Sequence, residues 1–377
     1  MLADKSKKKV MCIVGTRPEA IKMAPVILEL CRDDFFQPMV LATGQHTHML
    51  YQALSYFDIK PDFDLGIMKE KQTLDHITSK VIEGTGKIFD EINPDVVLVH
   101  GDTTTTFAAA LAAFYRHIQI GHVEAGLRSH NINSPFPEEA NRILTDQICS
   151  LWFPPTKEAG LNLLKEGFDQ ERIFITGNTV VDALNMTIER SQNQKVFVSD
   201  DKKVPEDAEV ILMTIHRREN WGNPLRNLCN TVKRILQENE NLWLILPVHK
   251  NPSVRADIFE IFQDVQRVIL TEPLNYPDFV KAMNRSRVII TDSGGVQEEG
   301  TSLKIPVLVT REVSERPEAI IEGTAMLVGN GVEKLKYEVE KLLFDQKYYN
   351  NIVSKAKMPF GDGRASKRIC SRLKELL

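Results

Sequence analysis

Between Val10 and Asn185, short runs of β-branched and other apolar residues alternate with helix-length amphipathic stretches. The runs cover residues 10–14, 39–43, 96–100, 118–123 and 173–176. Strands alternating with helices in this way predict a parallel, doubly wound sheet. The rhythm lapses over residues 190–207, which are polar and charged, and restarts at 210–215, just beyond Pro205. Runs at 242–248, 268–270, 288–291, 307–310 and 325–328 continue it as a second α/β unit. The expected organisation is a first domain over 1–190, a linker over 191–207 and a second domain over 208–363. After a break at 359–363, residues 364–377 read as a helix with Ile369, Leu373 and Leu377 on one face, suited to packing back on the first domain.

A chain of 377 residues is too long for one hydrophobic core, so two domains with a ligand-binding cleft between them are expected. The 47 basic and 51 acidic residues give a net charge of −4, with no single-sign block beyond Lys5–Lys9. That balance points away from nucleic-acid and membrane surfaces. The basic start has no apolar segment behind it, and no later stretch is long enough to span a bilayer, so a cytoplasmic protein is expected. Cys12, Cys31, Cys149, Cys229 and Cys370 form no C-x-x-C pair and read as reduced, buried thiols.

The chemistry concentrates where the predicted strands end. Thr291-Asp292-Ser293-Gly294-Gly295-Val296-Gln297-Glu298-Glu299-Gly300 places a small-residue turn between the strand at 288–290 and a helix starting near Val296. Backbone N–H groups and the positive helix end could there hold a diphosphate, with Glu298 and Glu299 reaching ribose hydroxyls. Gly15-Thr16-Arg17-Pro18-Glu19-Ala20-Ile21-Lys22-Met23 follows the first strand, and Arg17 with Lys22 could neutralise such a group or simply decorate a helix. Asp102 and Glu124 end the strands at 96–100 and 118–123, and Glu138 opens a later helix. Each is suited to helix capping or to acid–base catalysis, and three at successive strand and loop ends exceed what capping alone leads one to expect. His216 closes the first strand of the second unit, His249 the next, and Glu315-Arg316 brings a further arginine. His46 and His48 lack an acidic or cysteine partner at metal-ligand spacing, and neither G-x-G-x-x-G nor G-x-x-x-x-G-K-[ST] occurs.

Taken in order, G-T-R-P-E-A-I-K-M (15–23), H-G-D-T-T-T (100–105), H-V-E-A-G-L-R (122–128), P-F-P-E-E-A-N-R (135–142), H-R-R-E-N (216–220) and D-S-G-G-V-Q-E-E (292–299) resemble the non-hydrolysing UDP-N-acetylglucosamine 2-epimerases. The resemblance covers residues 10–377. It implies a GT-B-like α/β fold of two Rossmann-type domains and a homodimer that needs no metal or nicotinamide cofactor. By resemblance, Arg17, Ser293, Gly294, Gly295, Glu299 and Arg316 hold UDP, with backbone near Phe279 meeting uracil. Lys22, Asp102, Glu124, Glu138 and His216 line the reacting sugar. The implied reaction interconverts UDP-N-acetylglucosamine and UDP-N-acetylmannosamine by way of a glycal. Some members bind a second UDP-N-acetylglucosamine as activator; Gln45 and His249 match that site, while His48 and Lys71 depart from the glutamine and arginine expected there. The intact P-E-A-I-K-M run speaks against the hydrolysing relatives. A GT-B glycosyltransferase shares the UDP grip but leaves the crowded acids unexplained, and a non-enzymatic nucleotide-sugar sensor would use those acids only to bind hydroxyls.

Overall fold

The structure is a computed structural model that describes residues 7–45, 48–69, 72–191, 198–199, 202–217, 220–314, 316–329 and 331–377. The chain divides into two compact units, Met1–Ala183 with Phe360–Leu377, and Leu184–Pro359. The division falls inside the helix Thr179–Arg190. Of the expected linker, residues 192–197, 200 and 201 lie outside the described residues.

The first unit is built on a six-stranded parallel sheet. Its strands are β1 (Lys8–Val14), β2 (Phe36–Ala42), β3 (Phe63–Asp64), β4 (Val96–His100), β5 (Gln119–Val123) and β6 (Leu151–Phe153), in the order β3-β2-β1-β4-β5-β6. β4 is buried at every position, as a parallel strand covered on both faces must be. The helix Thr104–Phe114 lies close to the sheet because Ala108, Ala109, Ala110, Ala112 and Ala113 on it are fully buried and small. Two strands differ from the apolar pattern: β3 and β6 span only two and three residues, too few to register as a periodic run. Residues 173–176 contribute an isolated bridge from Ile173 to Trp152 rather than a strand. Ile175 there is 51 % exposed, so the run lacks the two-sided burial of a central strand.

The final helix, Ala365–Leu376, belongs to the first unit and packs on the helix Arg17–Cys31. Ile369 and Leu373 are fully buried on its inner face. Four of the five cysteines are buried as expected, while Cys31, at the end of the helix Arg17–Cys31, is exposed. Its first turn is tied down by Asp182, whose carboxylate accepts from Ala365 N (3.1 Å), Ser366 N (2.9 Å) and Ser366 Oγ (2.6 Å). A carboxylate across the first N–H groups of a helix satisfies donors that have no partner within it.

Residues Val198–Ser199 (β7) and Lys202–Lys203 (β8) pair antiparallel. The second unit repeats the first sheet's plan with β9 (Glu209–Thr214), β10 (Leu242–Pro247), β11 (Val268–Thr271), β12 (Val288–Thr291), β13 (Val307–Val309) and β14 (Ala325–Leu327), ordered β11-β10-β9-β12-β13-β14. Helix Asn223–Glu238 buries Leu225, Leu228, Val232 and Ile235 against it. In each sheet the strand order reverses between the first strand and the fourth. The loops leaving the carboxyl ends of those two strands diverge there, and such switch points are where open α/β sheets bind ligands. The switch-point loops carry Gly15–Arg17 and Gly101–Thr103 in the first unit, and Ile215–Arg217 and Asp292–Gly295 in the second.

Candidate functional site

In the first unit, register places the acids beside one another. His100 on β4 pairs with Val123 on β5, so Asp102 and Glu124 emerge at neighbouring strand ends. Glu124 adopts φ = 67°, a left-handed conformation that L side chains rarely take and that occurs at functional sites. Two residues on, Gly126 is held so close to the next helix that a Cβ would stand 2.2 Å from Ala159 O. Only glycine fits there. The Glu124 carboxylate is nearly buried; its Oε2 contacts Lys22 Nζ and accepts from Asn178 Nδ2 at 2.8 Å. Lys22 reaches it from the helix Arg17–Cys31.

Asp102, with a side chain 28 % exposed, pairs through Oδ2 with Arg142 Nη2. Arg142 is itself buried and gives its other arm to the fully buried Glu139 (2.9 Å), whose second oxygen accepts from Ser129 N (2.8 Å) and His130 N (3.1 Å). The adjacent Glu138 is half-buried at the first position of the helix Glu138–Ile148. Sequence alone singles out Glu138, whereas Glu139 carries the ionic link to Arg142; one residue along a helix turns a side chain by about 100°.

Beneath both acids lies a buried ionic cluster. His122 Nε2 is 2.7 Å from Gly101 O, and a carbonyl can only accept, so Nε2 carries a hydrogen. His122 Nδ1 meets Asp146 Oδ1 at 2.6 Å, and Asp146 Oδ2 takes Arg128 Nη2 (2.8 Å) and Gly126 N (3.2 Å). Burial pushes the Asp146 carboxyl up, but the charge and hydrogen bonds of His122 and Arg128 outweigh it and hold the group below its ordinary value. Asp146 thereby fixes the turn before Asp102 through His122, and the turn after Glu124 directly.

Around the first strand end, Glu19 is buried and accepts from Gly15 N and Thr16 N (both 2.7 Å) and from Thr103 Oγ1 (2.5 Å) and Thr106 Oγ1 (3.0 Å). It ties the loop after β1 to the loop after β4. Gly15 is required there, since a Cβ would lie 2.3 Å from Thr105 Oγ1. Arg17 is half-buried at the start of its helix. Gln45 accepts from Thr105 Oγ1 at 2.8 Å.

In the second unit, Asp292 is fully buried and gathers His216 N (3.1 Å), Arg217 N (2.9 Å) and Asn220 Nδ2 (2.9 Å), with His216 Nδ1 at 2.8 Å. Burial opposes its ionisation, yet the His216 hydrogen bond and charge, with the Arg217 and Asn220 donors, hold its carboxyl below the ordinary value. His216 Nδ1 therefore donates to a carboxylate and Nε2 is left for chemistry on a ring 48 % exposed. Asp292→Asn should weaken this charged bond, worth about 1.5–3 kcal/mol, and so lower kcat by roughly ten- to a hundredfold. Steady-state rates check it; unchanged turnover would show that His216 does not depend on this anchor.

The helix Gly294–Ser302 starts two residues earlier than the sequence pattern places it, with Ser293 as N-cap, so Gly294 and Gly295 present the first helical N–H groups. Arg316 is buried, approaches Gly294 within 3.9 Å of its Cβ position, and pairs with the buried Glu298. Glu299 is also buried on that helix. Phe279 is half-buried on the helix Tyr276–Arg285, and His249 accepts from Asn251 N through Nδ1 (3.2 Å) with its ring 5.8 Å from that of Trp221. His46, Lys71, Arg218, Glu219 and Glu315 lie outside the described residues. Among the described residues no group of three His, Cys, Asp or Glu side chains could hold a metal ion, and no helix is long and apolar enough to cross a membrane.

Arg142, Glu139, Asp146 and Asp292 carry no mark in the sequence as partners of the singled-out residues. Three of the four sit inside helices, where one sequence gives no sign that a charged side chain turns inward. Asp292 alone stood beside a motif glycine pair.

The chain as a whole resembles known proteins. Residues 28–374 match the family model described as UDP-N-acetylglucosamine 2-epimerase. The chain is 50 % identical over 369 residues to the UDP-N-acetylglucosamine 2-epimerase of Bacillus subtilis, covering 97 % of this chain and 95 % of that one. It is 46 % identical over 370 residues to the enzyme of the same name from Escherichia coli K12, covering 97 % and 98 %. The crystal structure of UDP-GlcNAc 2-epimerase from Neisseria meningitidis bound to UDP-GlcNAc superposes with a TM-score of 0.87 at 43 % identity, over 97 % of this chain and all of that one. With the family model, the relatives' sequences and the solved structure agreeing, the chain belongs to the UDP-N-acetylglucosamine 2-epimerase family, whose fold is GT-B-like.

Proposed function

We propose that this protein is a non-hydrolysing isomerase that interconverts UDP-N-acetylglucosamine and UDP-N-acetylmannosamine. The observation that carries the reading is the pairing, at adjacent strand ends, of Glu124 with Lys22 and of Asp102 with Arg142. A carboxylate among Asp102, Glu124 and Glu138 takes the proton from sugar C2; the electron pair forms the C1–C2 double bond, and the C1–O bond breaks so that UDP leaves with its electrons. The return step delivers a proton to C2 from the opposite face and adds the UDP oxygen to C1. His216 serves as a further acid–base group, its tautomer set by Asp292. Arg17, Arg316 and the N–H groups at Ser293, Gly294 and Gly295 stabilise the charge of departing UDP, with Glu299 on ribose and backbone near Phe279 on uracil. The UDP-GlcNAc bound to the Neisseria relative and the match in sequence support this substrate. The same reading carries a homodimer acting in the cytoplasm, which sedimentation and fractionation test.

A proton NMR time course with UDP-N-acetylglucosamine in deuterated water decides it. Deuterium should enter at C2 of both epimers while UDP stays sugar-bound. Free N-acetylmannosamine with UDP would indicate hydrolysis instead, and no C2 exchange would sink the proposal.

A further inference from the structure

Two of the histidines at these strand ends have their ring nitrogens assigned by partners: His122 by Gly101 O and Asp146, His216 by Asp292. His100, the last residue of β4, differs. It is 4 % exposed, and both its ring nitrogens are buried without a hydrogen-bond partner among the described residues. Its Nε2 stands 3.7 Å from Glu124 Oε2, beyond hydrogen-bond length. A buried polar ring left this way in a native core calls for a cause.

The surroundings of Glu124 supply one. Among the described residues, Lys22, from the helix Arg17–Cys31, and His100, from β4, are titratable groups that face its Oε2, and the amide of Asn178 joins them. Asn178 Oδ1 accepts from Val180 N at 2.9 Å, so its nitrogen must be the atom turned to Glu124. Lys22 and Asn178 therefore both offer hydrogens. They suit a carboxylate, and neither can accept one if Oε2 becomes protonated. An imidazole with its hydrogen on Nδ1 presents a lone pair at Nε2. Facing a carboxylate, that lone pair makes no bond, which agrees with the 3.7 Å separation.

We infer that His100 is a positioning residue for the acid–base step: its Nε2 accepts the Oε2–H hydrogen bond of Glu124 once that carboxylate has taken a proton from the sugar. The proton stays covalently on Glu124 and returns to carbon from there; His100 gives the protonated state a partner that Lys22 and Asn178 cannot. This inference rests on the reading of Glu124 as an acid–base residue.

The test compares His100→Phe, which has no acceptor, with His100→Gln, whose amide oxygen reaches the place of Nε2, and His100→Asn, whose amide reaches only that of Nδ1. His100→Phe should lower kcat by about ten- to a hundredfold, within the span of one acid–base contribution, with UDP affinity little changed. The limb of its kcat/KM profile that reports Glu124 should move to lower pH by about one unit, because the protonated form has lost a hydrogen bond. His100→Gln should recover most of both. Turnover within about threefold of the parent and an unmoved profile in His100→Phe overturns the inference, as does equal impairment of the Phe and Gln variants with parental profiles. If His100→Phe no longer binds UDP, the comparison passes to Gln and Asn: parental behaviour in Gln with a displaced limb in Asn supports the role, and identical behaviour overturns it. Glu124→Gln separates the underlying reading. Full activity there removes the acid–base role of Glu124 and His100's with it, whereas an inactive Glu124→Gln beside an unaffected His100→Phe removes His100 alone.

Discussion

Asp146→Asn should cost about 3–5 kcal/mol of folding stability, the range for removing one partner of a buried ion pair, and slow turnover by about a hundredfold. The side chain is fully buried and stands between His122 and Arg128. A neutral amide leaves the buried His122 and Arg128 without the carboxylate that joins them, and among the described residues Glu166 is the acid that still pairs Arg128. The catalytic loss has a separate cause: His122 holds Gly101 O, and Asp146 holds Gly126 N, so both acids lose a fixed turn at once. Misplacement by about 1 Å is enough for a hundredfold loss. UDP affinity should stay within a few-fold, since Ser293, Gly294, Gly295 and Arg316 belong to the other unit and Arg17 opens the helix after β1, not the turns that Asp146 fixes. Urea unfolding, UDP titration and initial rates check the three parts; a stability change under about 1 kcal/mol would mean that the cluster is not balanced by Asp146. The parent should also show the acid limb this group implies. Its carboxyl is depressed in the fold, so the stabilisation is complete above the unfolded value of about 3.9 and is lost as pH falls through the folded value. In Asp146→Asn that limb should be shallower.

What the sequence displayed, and what it hid, follow from the same physics. β1, β4, β5, β9, β10 and β12 are long runs buried on both faces, and such runs are visible without neighbours. β6 has three residues and β14 three, yet the sheet edges need them; only the second was marked by an apolar run. Residues 173–176 show the reverse error, an apolar run that meets a single bridge because Ile175 faces out. For the site, strand-end placement made Asp102, Glu124, His216 and the Ser293–Gly295 turn legible. Their pairings were not, because Lys22 to Glu124 spans 102 residues and Asp102 to Arg142 spans 40. Contacts at that separation are set by the strand order. The choice between Glu138 and Glu139 is similar: both open the same helix, and only the fold decides which one turns inward to Arg142.

Asp102→Asn should abolish most turnover while leaving UDP binding intact, and the size of the loss distinguishes catalysis from simple sugar binding. The asparagine keeps the volume and a carbonyl oxygen, so Arg142 Nη2 retains an acceptor and Asn141 Nδ2 still meets the backbone carbonyl of residue 102 at about its present 3.0 Å. The variant therefore changes charge and basicity with little change in shape. If Asp102 moves a proton to or from sugar C2, kcat should fall by about 10²–10⁴-fold, the usual contribution of a positioned acid or base. If it only holds a hydroxyl, the amide can do the same, and kcat should stay within about tenfold, the worth of one weakened hydrogen bond. Deuterium entry at C2 sharpens the outcome. Loss of exchange together with turnover assigns Asp102 to the C2 step, whereas exchange that persists while epimerisation stops places it at the protonation of the opposite face. Unchanged turnover would leave Glu124, with Lys22, as the remaining paired carboxylate at the strand ends and shift the acid–base assignment to it.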